Sequence, residues 1–310
     1  MFSVIFPGQG SQSVGMANEL HSKFDLVKKH FKLADEVLDF PISKIILEGP
    51  KENLNLTENT QPAIFLVGYS IFNLIKNEFN CDLSKAKFFA GHSVGEYTAL
   101  ASSGIINFED TIRLLKLRGN AMQSAVPKGE GGMVAVLGSD ILKIENLIDE
   151  KRYKCFIAND NSNGQLVISG KIDHLNKFVD DLKNLRIKNI TLPVSGPFHC
   201  KLMNKATIKM EPEIKKLEFN IGEKILISNV TANEMKNPEE IKKLLIKQIE
   251  SRVRWRESII YMIKKGISHF IEIGPGKVLS GLIKRIDKTV IVDAINSEED
   301  INNIKKNDKF

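Results

Sequence analysis

The sequence predicts an α/β protein with a mainly parallel sheet covered by helices and an inserted ferredoxin-like unit. Three observations carry that prediction: a short apolar strand running into a Gly-rich loop, alternating strand and helix patterns, and a middle third that parses as βαββαβ. In chain order, residues 2–6 form an apolar strand that enters Pro7-Gly8-Gln9-Gly10-Ser11-Gln12, where glycines permit backbone conformations closed to other residues. Helical spacing of apolar residues covers 25–37. Pro62 is expected to open a second helix whose apolar residues run through Ile64, Leu66 and Ile71 to Ile75. Residues 87–90 read as a buried strand. The middle third gives a strand at 133–137, a helix at 140–150, strands at 155–159 and 165–169 around the turn Asn163-Gly164, a helix at 172–185 and a strand at 187–194. Pro127-Lys128-Gly129 and Ser195-Gly196-Pro197 look like hinges, so residues 127–195 are expected to be an insert and residues 1–126 with 196–310 the larger domain that carries it. Beyond it, 225–229 reads as a strand, 241–264 as helical with a break near Ser251, and 269–273 as a strand entering Gly274-Pro275-Gly276. The polar tail after Asn296 is expected to be surface or frayed.

Composition excludes several classes. With 310 residues and 42% hydrophobic content, the chain can bury a full core, which rules out a disordered or fibrous protein. Cys81, Cys155 and Cys200 are odd in number and widely spaced, so neither a disulfide framework nor a structural zinc site is encoded, and a reducing compartment fits. No run approaches the roughly 18 apolar residues that span a bilayer, and the N-terminus lacks the pattern of a signal peptide. A cytoplasmic location with no membrane partner is expected. The excess of 44 basic over 38 acidic residues gives +6, spread as pairs such as Lys28-Lys29 and Lys264-Lys265 without interleaved aromatics. That pattern is a solvated surface, and no nucleic-acid partner is expected.

Gly91-His92-Ser93-Val94-Gly95 fits G-x-S-x-G, the turn that projects a strained serine from a strand into a helix. The apolar lead-in and the helical Glu96-Tyr97-Thr98-Ala99 that follows supply the required context, so Ser93 is the candidate nucleophile. A serine hydroxyl needs a base. His92 adjoins the serine and should point away, His21, His30 and His174 lie on or near helices, and His269 begins a strand. His199, in a loop after a strand at a hinge, is the best candidate. Metal binding by His199-Cys200 is disfavoured because adjacent side chains diverge and no second ligand pair is suitably spaced; no metal is expected. No acid is marked as the partner of the base, since Asp110, Asp140 and Asp160 each have an ordinary explanation at a helix start or turn. A Ser-His dyad and a triad both remain open.

Taken together, Phe6 to Gln12, Thr60-Gln61-Pro62-Ala63, Gly91 to Tyr97, Leu117-Arg118-Gly119 with Met122-Gln123, Pro197 to Cys200 and Glu272 to Lys277 resemble the malonyl-CoA:acyl carrier protein transacylase family, over nearly the whole chain. The resemblance implies a hydrolase-like larger domain, a ferredoxin-like smaller one and acyl transfer through an acyl-serine in fatty acid biosynthesis. The substrates would be malonyl-CoA and phosphopantetheinylated acyl carrier protein, with no bound cofactor, and a monomer is expected. It implies Ser93 as nucleophile, His199 as base, and Gln248 as the residue whose carbonyl holds the imidazole. Backbone N–H groups of Gln9 and Val94 would form the oxyanion hole, with Gly8 and Gly10 leaving room for the approach. Arg118 would clamp the free carboxylate; read without the family, it is an exposed helix-face arginine. Lys284 and Arg285 would dock the acidic carrier protein. Phe198 departs from the small residue common before the histidine and favours malonyl units. The segment Glu250 to Trp255 departs from the usual motif beyond Gln248. Two further classes stand beside this one: a serine hydrolase with water as acceptor, and a carrier-protein-binding module with a vestigial site.

Overall fold

A computed structural model describes residues 1–306 except 223 and 236. Its larger sheet has six strands in the order β10-β9-β1-β2-β7-β8. These are β1 (Phe2–Phe6), β2 (Phe88–Gly91), β7 (Ile225–Ile227), β8 (Glu234–Met235), β9 (His269–Ile273) and β10 (Ile291–Ile295). All neighbours run parallel except β7 with β8. The central strands are buried along their whole length, because helices cover both faces of the sheet and leave no position for a solvent-facing side chain. The two-residue period of a strand sorts them: Val4, Phe6, Phe89 and Ile271 enter the larger core, whereas Ile5, Phe88 and Phe270 enter the second one around Trp255. Because β1, β2 and β9 are parallel, their C-terminal ends bring three loops to one edge, the usual place for a site in such a sheet.

The second sheet has four strands in the order β4-β5-β3-β6, all pairs antiparallel: β3 (Gly131–Leu137), β4 (Cys155–Ser162), β5 (Gln165–Lys171) and β6 (Lys188–Thr191). With the helices Ile141–Glu150 and Ile172–Asn184 this is the expected βαββαβ order. Val134, Val136, Leu166 and Ile168 face those helices, and Met133, Ala158 and Val167 face the larger core. Local chemistry starts the helices where the sequence suggests. Asp140 caps 141–150 by accepting from Lys143 N, and Asn107 caps Phe108–Ser124 by accepting from Asp110 N.

Several expectations need correction. Pro62 does not open its helix but sits inside Thr57–Asn77, whose buried first turns carry Thr57, Asn59, Thr60 and Gln61. Proline lacks only one N–H, and in an almost wholly buried helix tertiary packing outweighs that missing bond. The segment after Asn296 lies at the surface but is not frayed, since helix Glu298–Lys306 buries Ile301 and Ile304, an i,i+3 pair in an otherwise polar segment. Residues 307–310 of that tail lie outside the described residues. β6 is shorter than the 187–194 expected, and helix Asn204–Lys216, with a proline in it, was not anticipated. Among the described residues no helix is long and apolar enough to cross a membrane.

His30 gives the fold a testable acid sensitivity. It stacks on Phe108 and packs against Tyr69, its Nδ1 lacks a partner among the described residues, and burial pushes its pKa down to about 4. The unfolded chain therefore takes up this proton near the ordinary 6.5, and the folded chain only near 4, so stability falls as pH drops through that window. A His30→Phe variant, compared with wild type by urea unfolding at pH 7 and pH 5, should lose about 1 to 2 kcal/mol less on acidification.

Candidate active site

The turn that follows β2 leaves no room for side chains at its glycines. A Cβ on Gly91 would lie 1.9 Å from the carbonyl carbon of Gly95, and one on Gly95 would lie 2.2 Å from Phe6 O. Ser93, between them, takes φ 53°, ψ −107°, a strained conformation for a non-glycine residue, and helix Val94–Ser102 starts at the next residue. Both of its backbone groups are held by amide side chains. Its N–H donates to Asn229 Oδ1 at 2.7 Å, and its carbonyl accepts from Gln248 Nε2 at 3.1 Å.

His199 reaches the same point from the loop after β6, itself at φ 56°. Ser169 Oγ fixes this loop by donating to Phe198 O at 2.6 Å. The imidazole Nε2 lies 2.7 Å from Ser93 Oγ, and Nδ1 lies 2.9 Å from the backbone oxygen of Gln248. A carbonyl oxygen can only accept, so Nδ1 carries the proton and Nε2 is free to take one from the serine. Burial first, then the Arg118 charge, push the His199 pKa down to about 3, which keeps the ring neutral.

Arg118 is fully buried, not the exposed helix-face residue that the bare sequence suggested. Nη1 donates to Gln61 Oε1 at 2.7 Å, while Nη2 donates to Gln248 Oε1 at 2.8 Å and lies 3.3 Å from Ser93 Oγ. The guanidinium sits 5.2 Å from the Tyr97 ring centroid. Its Nε has no partner, and among the described residues Arg118 makes no direct ion pair. A cation held this way by neutral amides keeps its charge available to a ligand.

Other candidates are sorted by the geometry. Gly8 packs against the elbow, where a Cβ would meet His92 O at 2.4 Å, and Gly10 takes φ +107°; Gln9 between them donates from its side chain to Thr57 Oγ1 at 3.4 Å. Val94 begins its helix, so its N–H has no intrahelical acceptor. His92 turns away to Asn161 at 2.8 Å, His174 accepts from Lys154 N, and His269 pairs with Asp293, which leaves His199 beside the serine. Asp110 and Asp140 serve helix starts, and Asp160, on β4 rather than at a turn, holds Arg256 through both carboxylate oxygens. Among the described residues no carboxylate bonds to His199, whose acceptor is the Gln248 carbonyl. Among the described residues there is no cluster of His, Cys, Asp or Glu that could hold a metal ion.

Lys284 and Arg285 lie on helix Val278–Ile286, exposed and outside this cluster. Lys284 Nζ donates to Val290 O at 2.5 Å, and Arg285 reaches Gln165 of β5. Beyond Gln248, the unusual segment is spliced into the fold by Val253 N to Ala158 O at 2.8 Å and Arg254 N to Asn229 O at 2.9 Å, so the bonds around Gln248 are complete despite the departure.

Sequence reasoning missed Gln61, Glu96 and Asn229. Glu96 is fully buried beneath the serine, and its Oε2 accepts from Asn229 N at 3.0 Å and Gln248 Nε2 at 2.9 Å. Burial raises its pKa to about 7 against the pull of those donors and of Arg118. A glutamate one turn after a buried serine, among Val94, Tyr97 and Leu100, was the signal that could have exposed it.

Comparison with known proteins agrees across the chain. The acyl transferase domain model matches residues 3–309. The malonyl CoA-acyl carrier protein transacylase of Bacillus subtilis (strain 168) is 39% identical over 301 residues, covering 96% of this chain and 94% of that protein. The crystal structure of the acyl-carrier-protein-S-malonyltransferase from Bartonella henselae superposes with a TM-score of 0.96 at 38% identity, covering 100% of this chain and 99% of that one. A malonyl-transacylase in complex with its type II PKS acyl-carrier protein matches with a TM-score of 0.95 at 35% identity, covering 99% of each chain. From a full-length family match, a shared fold and a serine elbow facing a histidine, it follows that this chain belongs to the acyl transferase domain family, alongside the malonyl CoA-acyl carrier protein transacylases.

Proposed function

We infer that this chain is a malonyl-CoA:acyl carrier protein S-malonyltransferase (EC 2.3.1.39), moving malonyl from coenzyme A to the phosphopantetheine thiol of acyl carrier protein in fatty acid biosynthesis. The observation that carries the reading is Arg118, a buried, unneutralised cation 3.3 Å from the serine hydroxyl. An acyl group ending in a carboxylate needs such a partner, whereas a simple esterase does not.

In this reading Ser93 Oγ attacks the thioester carbon as its proton passes to His199 Nε2. The oxyanion is received by the N–H groups of Gln9 and Val94, where each preset donor contributes about 3 to 4 kcal/mol. Collapse breaks the C–S bond, and His199 returns the proton to the departing coenzyme A thiol. In the second half the carrier's thiol gives its proton to His199 and attacks the seryl ester; the C–O bond breaks, malonyl leaves as the carrier thioester, and His199 returns the proton to Ser93 Oγ. Gln248 acts through its backbone carbonyl as the orienter of the imidazole. We further propose that residues 127–195 form a separate inserted subdomain and that residues 1–126 with 196–310 form the hydrolase-like catalytic domain. The working protein would be a cytoplasmic monomer without a resident cofactor, nucleic-acid partner or membrane partner. Mixing the protein with malonyl-CoA and weighing it intact tests the reading: a malonyl-sized gain mapped to Ser93 is expected, and its absence overturns it.

The carrier protein is proposed to dock on Lys284 and Arg285. Surface charges of this kind act mainly on encounter and weaken with salt. Reversing both charges should raise KM for the carrier protein several-fold at low salt and leave KM for malonyl-CoA nearly unchanged. Equal effects on both substrates in steady-state assays would remove the docking assignment.

A further inference from the structure

We propose that Glu96 is a positioning residue for the nucleophile, a single carboxylate oxygen from which the strained serine turn is held at both of its backbone groups. The proposal rests on the acyl-serine reading above. Its basis is a closed hydrogen-bond circuit. Glu96 Oε2 accepts from Gln248 Nε2 at 2.9 Å, and the same Nε2 donates to Ser93 O at 3.1 Å. That oxygen also accepts from Asn229 N at 3.0 Å, and the Asn229 side chain accepts from Ser93 N at 2.7 Å and donates to Gly91 O at 2.7 Å. Gly91 and Ser93 are therefore pinned on either side of the turn by one amide, and Ser93 is pinned again by a second amide.

The circuit also decides which way the Gln248 amide faces. Its oxygen meets the Arg118 guanidinium at 2.8 Å and its nitrogen meets the Glu96 carboxylate. A flipped amide would set NH₂ against the cation and oxygen against the carboxylate, so both contacts would turn repulsive. Glu96 thus fixes the side chain of the residue whose backbone oxygen holds His199. Ser93 needs this support, because φ 53° with ψ −107° is a conformation that the chain leaves when nothing holds it. Glu96 touches neither Ser93 Oγ nor His199 in these bonds, so it acts through its neighbours. Misplacement of a reacting atom by about 1 Å can cost on the order of 10²-fold in rate.

The test measures single-turnover acylation by malonyl-CoA, per correctly folded molecule, in Glu96→Ala, Glu96→Gln and Asn229→Ala. Glu96→Ala should lower the maximal acylation rate on the order of 10²-fold, with the half-saturating malonyl-CoA concentration changed little. Glu96→Gln keeps an oxygen able to accept from both N–H groups and should recover most of the rate. Asn229→Ala should be slowed comparably, and the Glu96→Ala, Asn229→Ala double variant should be little worse than either single, because both break one circuit. Labelling of Ser93 by a fluorophosphonate reads serine reactivity whatever the natural acyl donor. It should fall in parallel, and it still tests Glu96 if wild type takes no malonyl group. Should Glu96→Ala fail to fold, Glu96→Gln and Asn229→Ala decide the matter. An unchanged rate in Glu96→Ala or Asn229→Ala, a loss confined to half-saturation, or fully additive effects in the double variant would each overturn the proposal.

Discussion

Ser93→Ala is expected to take up no acyl group from malonyl-CoA, and His199→Ala to acylate about 10⁴-fold or more slowly than wild type. The two atoms concerned are 2.7 Å apart, and Nδ1 of the same ring is committed to Gln248 O, so the imidazole has one free acceptor and it faces the serine. No other histidine lies beside Ser93 to take over, since His92 is bonded to Asn161. The measurement is intact-mass analysis over time after mixing. Normal acylation in His199→Ala would mean that another group accepts the serine proton and that the assigned base is wrong.

The second large effect concerns choice of acyl group. Arg118 is buried with its charge unneutralised by any direct ion pair among the described residues. Malonyl differs from acetyl by one carboxylate, and a water-poor site can hold that charge only against a fixed cation. Removing one partner of a buried, hydrogen-bonded charge pair costs about 2 to 5 kcal/mol, roughly 30-fold to several thousand-fold. Arg118→Ala should therefore collapse the malonyl-to-acetyl ratio of kcat/KM by a factor in that range. Ser93 should remain reactive toward acetyl-CoA. Arg118→Lys should restore only part of the preference, because an ammonium cannot hold Gln61 Oε1 and Gln248 Oε1 while giving two parallel bonds to a carboxylate. Competition between the two acyl donors in one mixture measures the ratio directly. A preserved ratio would place the reader of the carboxylate elsewhere.

The parts of this architecture that were legible in the sequence are those written in local pattern. The apolar β1 and β9, the glycine-flanked Ser93 and the βαββαβ order each follow from spacing within a few residues. What stayed hidden depends on partners far along the chain. Asn229 lies in the turn just after β7 and looks like an ordinary turn residue until Ser93, 136 positions away, is bonded to it. Arg118 looks solvated until Gln61 and Gln248 surround it. The five residues of β10 contain Asp293, which breaks the apolar run that a strand search relies on; its partner His269 is visible only once the strands are side by side. Ile301 and Ile304 are too few to signal a helix on their own.

The placement of β1 also governs how the molecule is made. The strand formed from Phe2 to Phe6 lies inside the sheet between β2 and β9, with Phe2 opposite His269. Pairing across such a distance along the chain is slow, since most of the polypeptide has to be gathered before the contact repays the ordering. During synthesis β1 can meet β2 early, but its other edge stays unpaired until residues 269–273 emerge. Until then an apolar strand edge is open to pairing with other chains, which makes the nascent chain prone to aggregation. The loop that carries Gln9 hangs from the end of that strand, so its seat is secured only when β9 docks. A released chain that stops after residue 268 should consequently lack serine reactivity even though it contains Ser93, His199 and Gln248.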